Sequence, residues 1–304
     1  MKKINKKISF LYDKLLSTET KIKFEHFIFI LAVVGFLAHL AIIGLLNLGI
    51  IDVSNYPESS KNPIRAIYTP FSIILFYEIY CLIYFLPKSM SIHMGKQFEI
   101  VTLIVIRGMF NDLSKLDITS DVSSIIAQPQ YLYSMVTVII LFGLIFVYYR
   151  LNQSTIKRMN QCGVEVQYKN LRYFYAKRLL AVIVGIVFFG MFIYSFVRWI
   201  TGDYSSVIGL IELSQNQSKY FFDYFFIILI LSDVFILLLS FRIMDDFHKV
   251  IRNSGYVIST IILLLSFSVK GLSNQILILI GVLFGTIILA IYKLYEKTEL
   301  PQDV

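Results

Sequence analysis

The sequence predicts an all-α fold, a polytopic transmembrane helical bundle of about eight spans with both termini in the cytosol. Hydrophobic residues make up 57% of the 304 residues and charged residues only 16%, whereas a soluble domain carries about 25% charged residues. The apolar residues fall into eight runs, and lysines and arginines cluster in alternate connections between them. This composition excludes a soluble enzyme, and it excludes nucleic-acid binding as the reason for the net charge of +8.

The first half of the chain contains four apolar runs. Phe24–Leu48 exceeds the roughly 20 residues that a helix needs to cross a bilayer, and it is too long for a signal-peptide core. Ala66–Leu86 is also long enough to cross. Gln97–Phe110 is short and contains Arg107, so it either crosses with the help of its flanks or re-enters. Tyr131–Tyr149 contains no charged residue and predicts a fourth span.

The second half repeats this count. Leu179–Ile200 and Tyr220–Phe241 have the length of full spans, Tyr256–Val269 is short, and Gln275–Tyr292 follows closely. The predicted organisation is a basic amphipathic N-terminal segment 1–23, membrane halves 24–150 and 179–294, a basic cytosolic loop 151–178 and a cytosolic tail 295–304.

The distribution of basic residues supports this topology. With the N-terminus in the cytosol, 21 of the 28 lysines and arginines fall on the cytosolic side, which is the bias that the positive-inside rule describes. Omitting one short run would invert everything after it, so the bias favours eight spans. The predicted partner of these charges is a bilayer with anionic inner-leaflet lipids. The many Ile, Lys and Asn residues indicate a bacterial inner (cytoplasmic) membrane.

The N-terminal segment has its own pattern. Ile4, Ile8, Leu11 and Leu15 are spaced by three or four residues with lysines between them. This spacing is typical of a basic amphipathic helix lying on the inner membrane surface, and a frayed, solvated tail is the alternative.

The two halves share a weak internal similarity. The residues that recur at a constant offset of 155 are Phe71, Glu78 and His93 in the first half and Phe226, Asp233 and His248 in the second. Each half thus has an acid within its second span and a histidine fifteen residues later, in the predicted cytosolic loop. Two parallel four-helix repeats would explain this. Chance similarity between apolar runs would explain it as well, and both interpretations stay open.

The candidate functional residues are ionisable side chains inside the predicted spans. A charge at the bilayer centre costs about 2.5–3.5 kcal/mol on insertion scales. Glu78 and Asp233 are therefore predicted to face the bundle interior and to line an ion pathway, with His39 and Glu99 as accessory groups. The alternative is that the two acids are protonated or hydrogen-bonded struts between helices. The candidate pairing residues are Arg107, Tyr77 and Tyr80.

The function that these residues favour is a small channel or secondary transporter for protons or a small cation. Two alternatives remain open, a non-transporting scaffold or sensor that acts through the basic cytosolic segments, and a lipid-modifying membrane enzyme. The chain has no protease motif, no pair of membrane histidines for haem and no glycine-rich phosphate loop. No catalytic residue, metal site or cofactor is therefore predicted. A homo-oligomer is compatible with the sequence.

Overall fold

The computed structural model describes residues 10, 12–48, 63–113, 129–166, 171–201, 207–241, 247–269 and 271–299. These residues contain no strand, and their long helices are α1 Thr18–Asn47, α2 Tyr68–Phe85, α3 Met90–Leu113, α4 Pro129–Val166, α5 Leu171–Thr201, α6 Val207–Phe241, α7 Phe247–Ser268 and α8 Leu272–Glu299. A short 3₁₀ helix, Pro63–Ile67, precedes α2. Each predicted apolar run lies largely within one of these helices, which confirms the all-α class.

The apolar helices identify a multi-pass membrane protein. The segments long and apolar enough to cross a membrane are Tyr12–Asn47, Tyr131–Gln153, Tyr224–Phe241, Phe247–Ser268 and Leu272–Glu296. Thr69–Phe85 is a shorter apolar helix. Large apolar side chains such as Phe29, Phe142 and Leu231 are exposed on the outside of the bundle, where lipid would cover them. The count of eight crossings and the cytosolic placement of both termini stay predictions.

The two short apolar runs, Gln97–Phe110 and Tyr256–Val269, belong largely to longer, unbroken helices. Helix α3 has 24 residues and α7 has 22. At 1.5 Å per residue these helices are about 36 and 33 Å long, and a bilayer core is about 30 Å thick. Each helix begins before its apolar run, and the turns that precede the run contain polar residues. Length therefore gives no reason to treat either segment as re-entrant.

The helices of each half pack in sequence order. In the first half α1 packs on α2, α2 on α3 and α3 on α4, and in the second half α5 packs on α6, α6 on α7 and α7 on α8. The halves meet through α4 with α8, α3 with α7 and α8, and α2 with α5. Helix α3 therefore contacts helices of both halves. This shared packing order is compatible with the repeat, which remains a prediction.

The predicted cytosolic loop 151–178 consists largely of helix. Helix α4 continues to Val166 and α5 begins at Leu171, so both helices extend well beyond the apolar runs. The described part of the N-terminal segment is a short helical turn, Tyr12–Leu15, followed by the Ser17 cap of α1. Ile4, Ile8 and Leu11 lie outside the described residues.

The tight turn between α2 and α3 begins with buried residues, and Lys88 and Ser89, which follow, are half-buried. Leu86 and Pro87 in this turn are buried, and so is Leu16 of the N-terminal segment. Tyr80 of α2 donates a hydrogen bond to the Leu15 carbonyl at 2.8 Å, and Lys177 of α5 donates one to the Lys88 carbonyl at 3.1 Å. The start of α5 therefore packs against this turn, and the N-terminal segment packs against α2, the helix before it.

Glycines allow α8 to approach its neighbours closely. A Cβ atom on Gly285 would lie 2.6 Å from Cζ of Phe98 on α3 and 3.0 Å from Oγ of Ser259 on α7. One turn earlier, Ser259 donates a hydrogen bond of 2.6 Å to the Gly281 carbonyl. Small residues at such crossings are the usual means by which membrane helices pack tightly.

Replacing Gly285 with leucine is expected to lower stability by about 1–3 kcal/mol, since the added side chain must displace the buried Phe98 ring. The apparent melting temperature in mild detergent measures this. Gly143→Leu on α4 is the matched control, because a Cβ atom there meets nothing within 4 Å. Equal melting temperatures for the two variants would contradict the expectation.

Candidate functional site

Helix α3 carries polar side chains on two different faces. His93 and Gln97 are four residues apart and therefore share one face, whereas Lys96 and Glu99 are three residues apart and share another. Each pair forms part of a separate polar cluster. The first cluster, called here the core cluster, consists of His93, Gln97, Asp233 and Thr260.

The core cluster joins three helices through short contacts. Nε2 of His93 on α3 lies 3.2 Å from Oδ1 of Asp233 on α6. Gln97 Nε2 donates to Oδ2 of Asp233 at 2.7 Å and lies 3.0 Å from Nε2 of His93. The hydroxyl of Thr260 on α7 lies 3.0 Å from Oε1 of Gln97. One carboxylate, one imidazole, one amide and one hydroxyl are thus connected by hydrogen-bonding contacts.

The side chains of the core cluster are buried inside the bundle. The side chains of His93 and Asp233 are both 0% exposed, and Gln97 and Thr260 are buried as well. Asp233 lies at the centre of the apolar segment Tyr224–Phe241. A charge this deep is costly unless it is paired or neutralised by a proton. The cluster is therefore a place where a single proton changes the local electrostatic energy strongly.

The sequence interpretation placed His93 in a cytosolic loop, and this was wrong. His93 is the fourth residue of α3 and is completely buried against Asp233. The physical reason is that α3 begins at Met90, before its apolar run, and that its first two turns pack inside the bundle, where Ser91 and Gln97 are buried as well. The offset of 155 pairs His93 with His248 and Asp233 with Glu78. The contact instead joins the acid of one half to the histidine of the other.

A tyrosine network lies next to the core cluster. Tyr148 of α4 donates to the Ser91 carbonyl at 2.6 Å, and Tyr256 of α7 donates to the Ser91 hydroxyl at 3.1 Å. Both tyrosines are fully buried, so their hydroxyls need these acceptors. This network fixes the first turn of α3 against α4 and α7, and with it the position of His93.

A buried lysine lies at the start of α5, before its apolar run. Lys177 is 3% exposed and donates its hydrogen bond to the Lys88 carbonyl. Burial, reinforced by the positive charge of Arg252 and opposed by Asp233, lowers the pKa of Lys177 to about 7. The electrostatic link to Asp233 places Lys177 among the charges that influence the core cluster.

The second polar cluster lies at the α2–α3–α4 junction. Glu99 accepts hydrogen bonds from Lys96 on its own helix and from the Tyr149 hydroxyl on α4. The carboxyl group of Glu78 on α2 is influenced by the charges of Lys96, Glu99 and Lys21. The side chain of Glu78 is half-buried. Glu78 and Glu99 thus belong to one mixed-charge cluster, called here the α2–α4 cluster.

The remaining candidates lie elsewhere. His39 lies 2.6 Å from the Thr69 hydroxyl, between α1 and α2. Tyr77 donates to Glu25 on α1 at 2.7 Å, and Tyr80 donates to the Leu15 carbonyl. The hydroxyls of these two tyrosines therefore have partners other than Glu78 and Asp233. Arg107 is half-buried in the last two turns of α3.

Sequence reasoning missed His93, Gln97, Thr260 and Lys177 as parts of a site. The available signal was the spacing of His93 and Gln97, which are four residues apart where an apolar run begins. A helix that starts before the run places both side chains on one face. In the described parts of the chain, no group of three or more histidine, cysteine, aspartate or glutamate side chains could hold a metal ion.

Comparison with protein-family models, with curated proteins and with solved structures gave no match.

Proposed function

We propose that this multi-pass membrane protein moves protons, or a small cation coupled to protons, and that Asp233 with His93 is the group that takes up and releases the proton. The observation that carries the proposal is the completely buried contact of 3.2 Å between the two side chains. An intramembrane ionisable pair of this kind is costly for stability alone, and such residues usually mark ion and proton pathways.

The chemistry of the pair suits a proton site. Histidine is the side chain whose ordinary titration range lies nearest to physiological pH, and a carboxylate at contact distance stabilises its charged form. The core cluster offers one histidine and one carboxylate, with the amide and hydroxyl of Gln97 and Thr260 as hydrogen-bonding partners. A proton can therefore be held there without any other ion.

The α2–α4 cluster supplies a second group on the same helix. Lys96 and Glu99 lie within two turns of His93 and Gln97, and Glu78 is electrostatically linked to both. In the proposal Glu78 and Glu99 form a second, more accessible proton-binding group, with His39 at the α1–α2 contact as an accessory group. This retains the predicted role of Glu78 and adds His93 as the partner of Asp233.

The test is proton flux in liposomes that contain a pH-sensitive dye, driven by imposed potassium and proton gradients. Asp233→Asn is expected to reduce flux to the level of protein-free liposomes, because an amide cannot take up and release the proton. Asp13→Asn is the matched control, since Asp13 is an exposed acid. Its flux should equal that of the wild type.

Two further variants sharpen the result. His93→Asn gives an independent measure of the core cluster should Asp233→Asn elute as aggregate in size exclusion. Glu78→Gln tests the α2–α4 cluster, and unchanged flux would remove Glu78 from the pathway. Full flux in folded Asp233→Asn, or no flux from folded wild-type protein under any gradient, would refute the proposal. The second result would favour the scaffold or sensor function.

A further inference from the structure

Gln97 contacts both members of the buried pair with one amide nitrogen. Its Nε2 donates to Oδ2 of Asp233 at 2.7 Å and lies 3.0 Å from Nε2 of His93. An NH₂ group can donate two hydrogen bonds, but only to acceptors. This orientation therefore fits an ionised Asp233 and a His93 whose Nε2 carries no proton.

The opposite orientation of the same amide fits the protonated pair. Turning the amide by half a turn exchanges its oxygen and nitrogen with little change in shape. Oε1 would then face His93 and Asp233, where it accepts hydrogen bonds from a protonated Nε2 and from a protonated carboxyl. The two orientations of Gln97 thus correspond to two protonation states.

Thr260 can serve both orientations. Its hydroxyl lies 3.0 Å from Oε1 of Gln97 and 3.0 Å from the carbonyl of Tyr256. In the orientation described, the hydroxyl donates to Gln97. After the amide turns, the hydroxyl accepts from the Gln97 nitrogen and donates to the Tyr256 carbonyl, because a hydroxyl is both donor and acceptor. Neither state leaves the Thr260 end of the amide without a partner.

We infer that Gln97 is the positioning residue of the proton site, whose amide turns with the protonation of His93 and Asp233 and holds the deprotonated pair in place. The inference rests on the proposed function for its biological meaning, although its test does not need flux. Neither Gln97 nor Thr260 is required to gain or lose a proton itself.

Other charges around the cluster must stay constant in the test. The ionisable and charged groups on the elements packed around it include Glu78 on α2, Lys88 in the α2–α3 turn, Lys96 and Glu99 on α3, Tyr148 and Tyr149 on α4, Lys177 on α5, Arg252 and Tyr256 on α7, and Tyr292 on α8. A neutral substitution at Gln97 leaves all of them in place. A change in the pH profile can therefore be assigned to the lost amide.

The experiment is nitrogen-15 NMR of the full-length protein labelled at its four histidines, with the His93 signal assigned from its loss in His93→Asn. In Gln97→Met the pH at which His93 changes protonation is expected to move upward by about one pH unit. The deprotonated pair loses a hydrogen bond to an ionised carboxylate, which is stronger than the neutral bond that the turned amide accepts from the protonated carboxyl. Gln275→Met is the matched control, since Gln275 on α8 is part-buried and donates a hydrogen bond to Ser134 on α4, outside the core cluster. Its His93 profile should match that of the wild type.

Gln97→Asn serves as a second variant should Gln97→Met not fold. Its shorter side chain pulls the amide away from Asp233, and the same upward movement is expected. A His93 profile identical to the wild type in either folded variant would overturn the inference, even where flux is retained. If the wild-type protein shows no flux but the His93 pH profile shifts in the Gln97 variant, only the proposed function is refuted. A purely structural role would lower melting temperature and leave the profile unchanged.

Discussion

Replacing His93 with leucine is expected to destabilise the protein by about 3 kcal/mol, because it leaves the buried carboxylate of Asp233 without one of its polar neighbours. Asp233 would keep its hydrogen bond from Gln97 but lose the adjacent imidazole 3.2 Å away. It would then have to remain ionised in an apolar region or take up a proton. The measurement is the apparent melting temperature in mild detergent, with size exclusion to confirm the folded state.

The converse variant, Asp233→Leu, is expected to cost less. A histidine can remain neutral in an apolar region, and Gln97 still offers a donor to its Nε2 at 3.0 Å. The double variant with leucine at both positions should recover part of the loss, since two apolar side chains of similar size leave neither partner of the pair buried and unsatisfied. Additive losses in the double variant would mean that the two side chains do not interact in the folded protein.

Much of the fold follows from the sequence because the bilayer restricts the choices. In a lipid environment every backbone polar group must be satisfied within the element, so apolar runs of this length predict helices. Each of the eight runs lies largely within one of α1 to α8. The ends of the helices were predicted less well. Helix α4 continues to Val166 and α3 begins at Met90, since polar residues extend helices without contributing to an apolar run.

The core cluster was only partly accessible to sequence reasoning. Asp233 attracts attention because an acid in the middle of a span cannot face lipid at low cost. His93 does not, because its neighbours in the sequence are the polar residues of a short connection. His93 is buried against Asp233 of α6, which lies far from it in the sequence. Long-range packing of this kind leaves no local pattern in the sequence.

Replacing Lys177 with methionine is expected to make stability less dependent on pH. Burial lowers the pKa of Lys177 in the folded protein to about 7, while an unfolded chain keeps the ordinary lysine value of about 10.4. Below the folded value the ammonium is charged in both states, and the folded protein bears the full cost of burying it. Between the two values the unfolded chain binds the extra proton, so stability of the wild type rises with pH.

The methionine variant lacks this titration. It should therefore exceed the wild type in stability by on the order of a few kcal/mol at about pH 6, with the gain fading toward pH 9.5. At the higher pH the neutral amine still donates to the Lys88 carbonyl, and losing that hydrogen bond costs the variant about 1 kcal/mol.

Lys157→Met is the matched control, because Lys157 is exposed on α4 and its replacement should shift stability equally at both pH values. A difference between wild type and Lys177→Met that is the same at both pH values would show that the Lys177 ammonium is not desolvated in the folded protein.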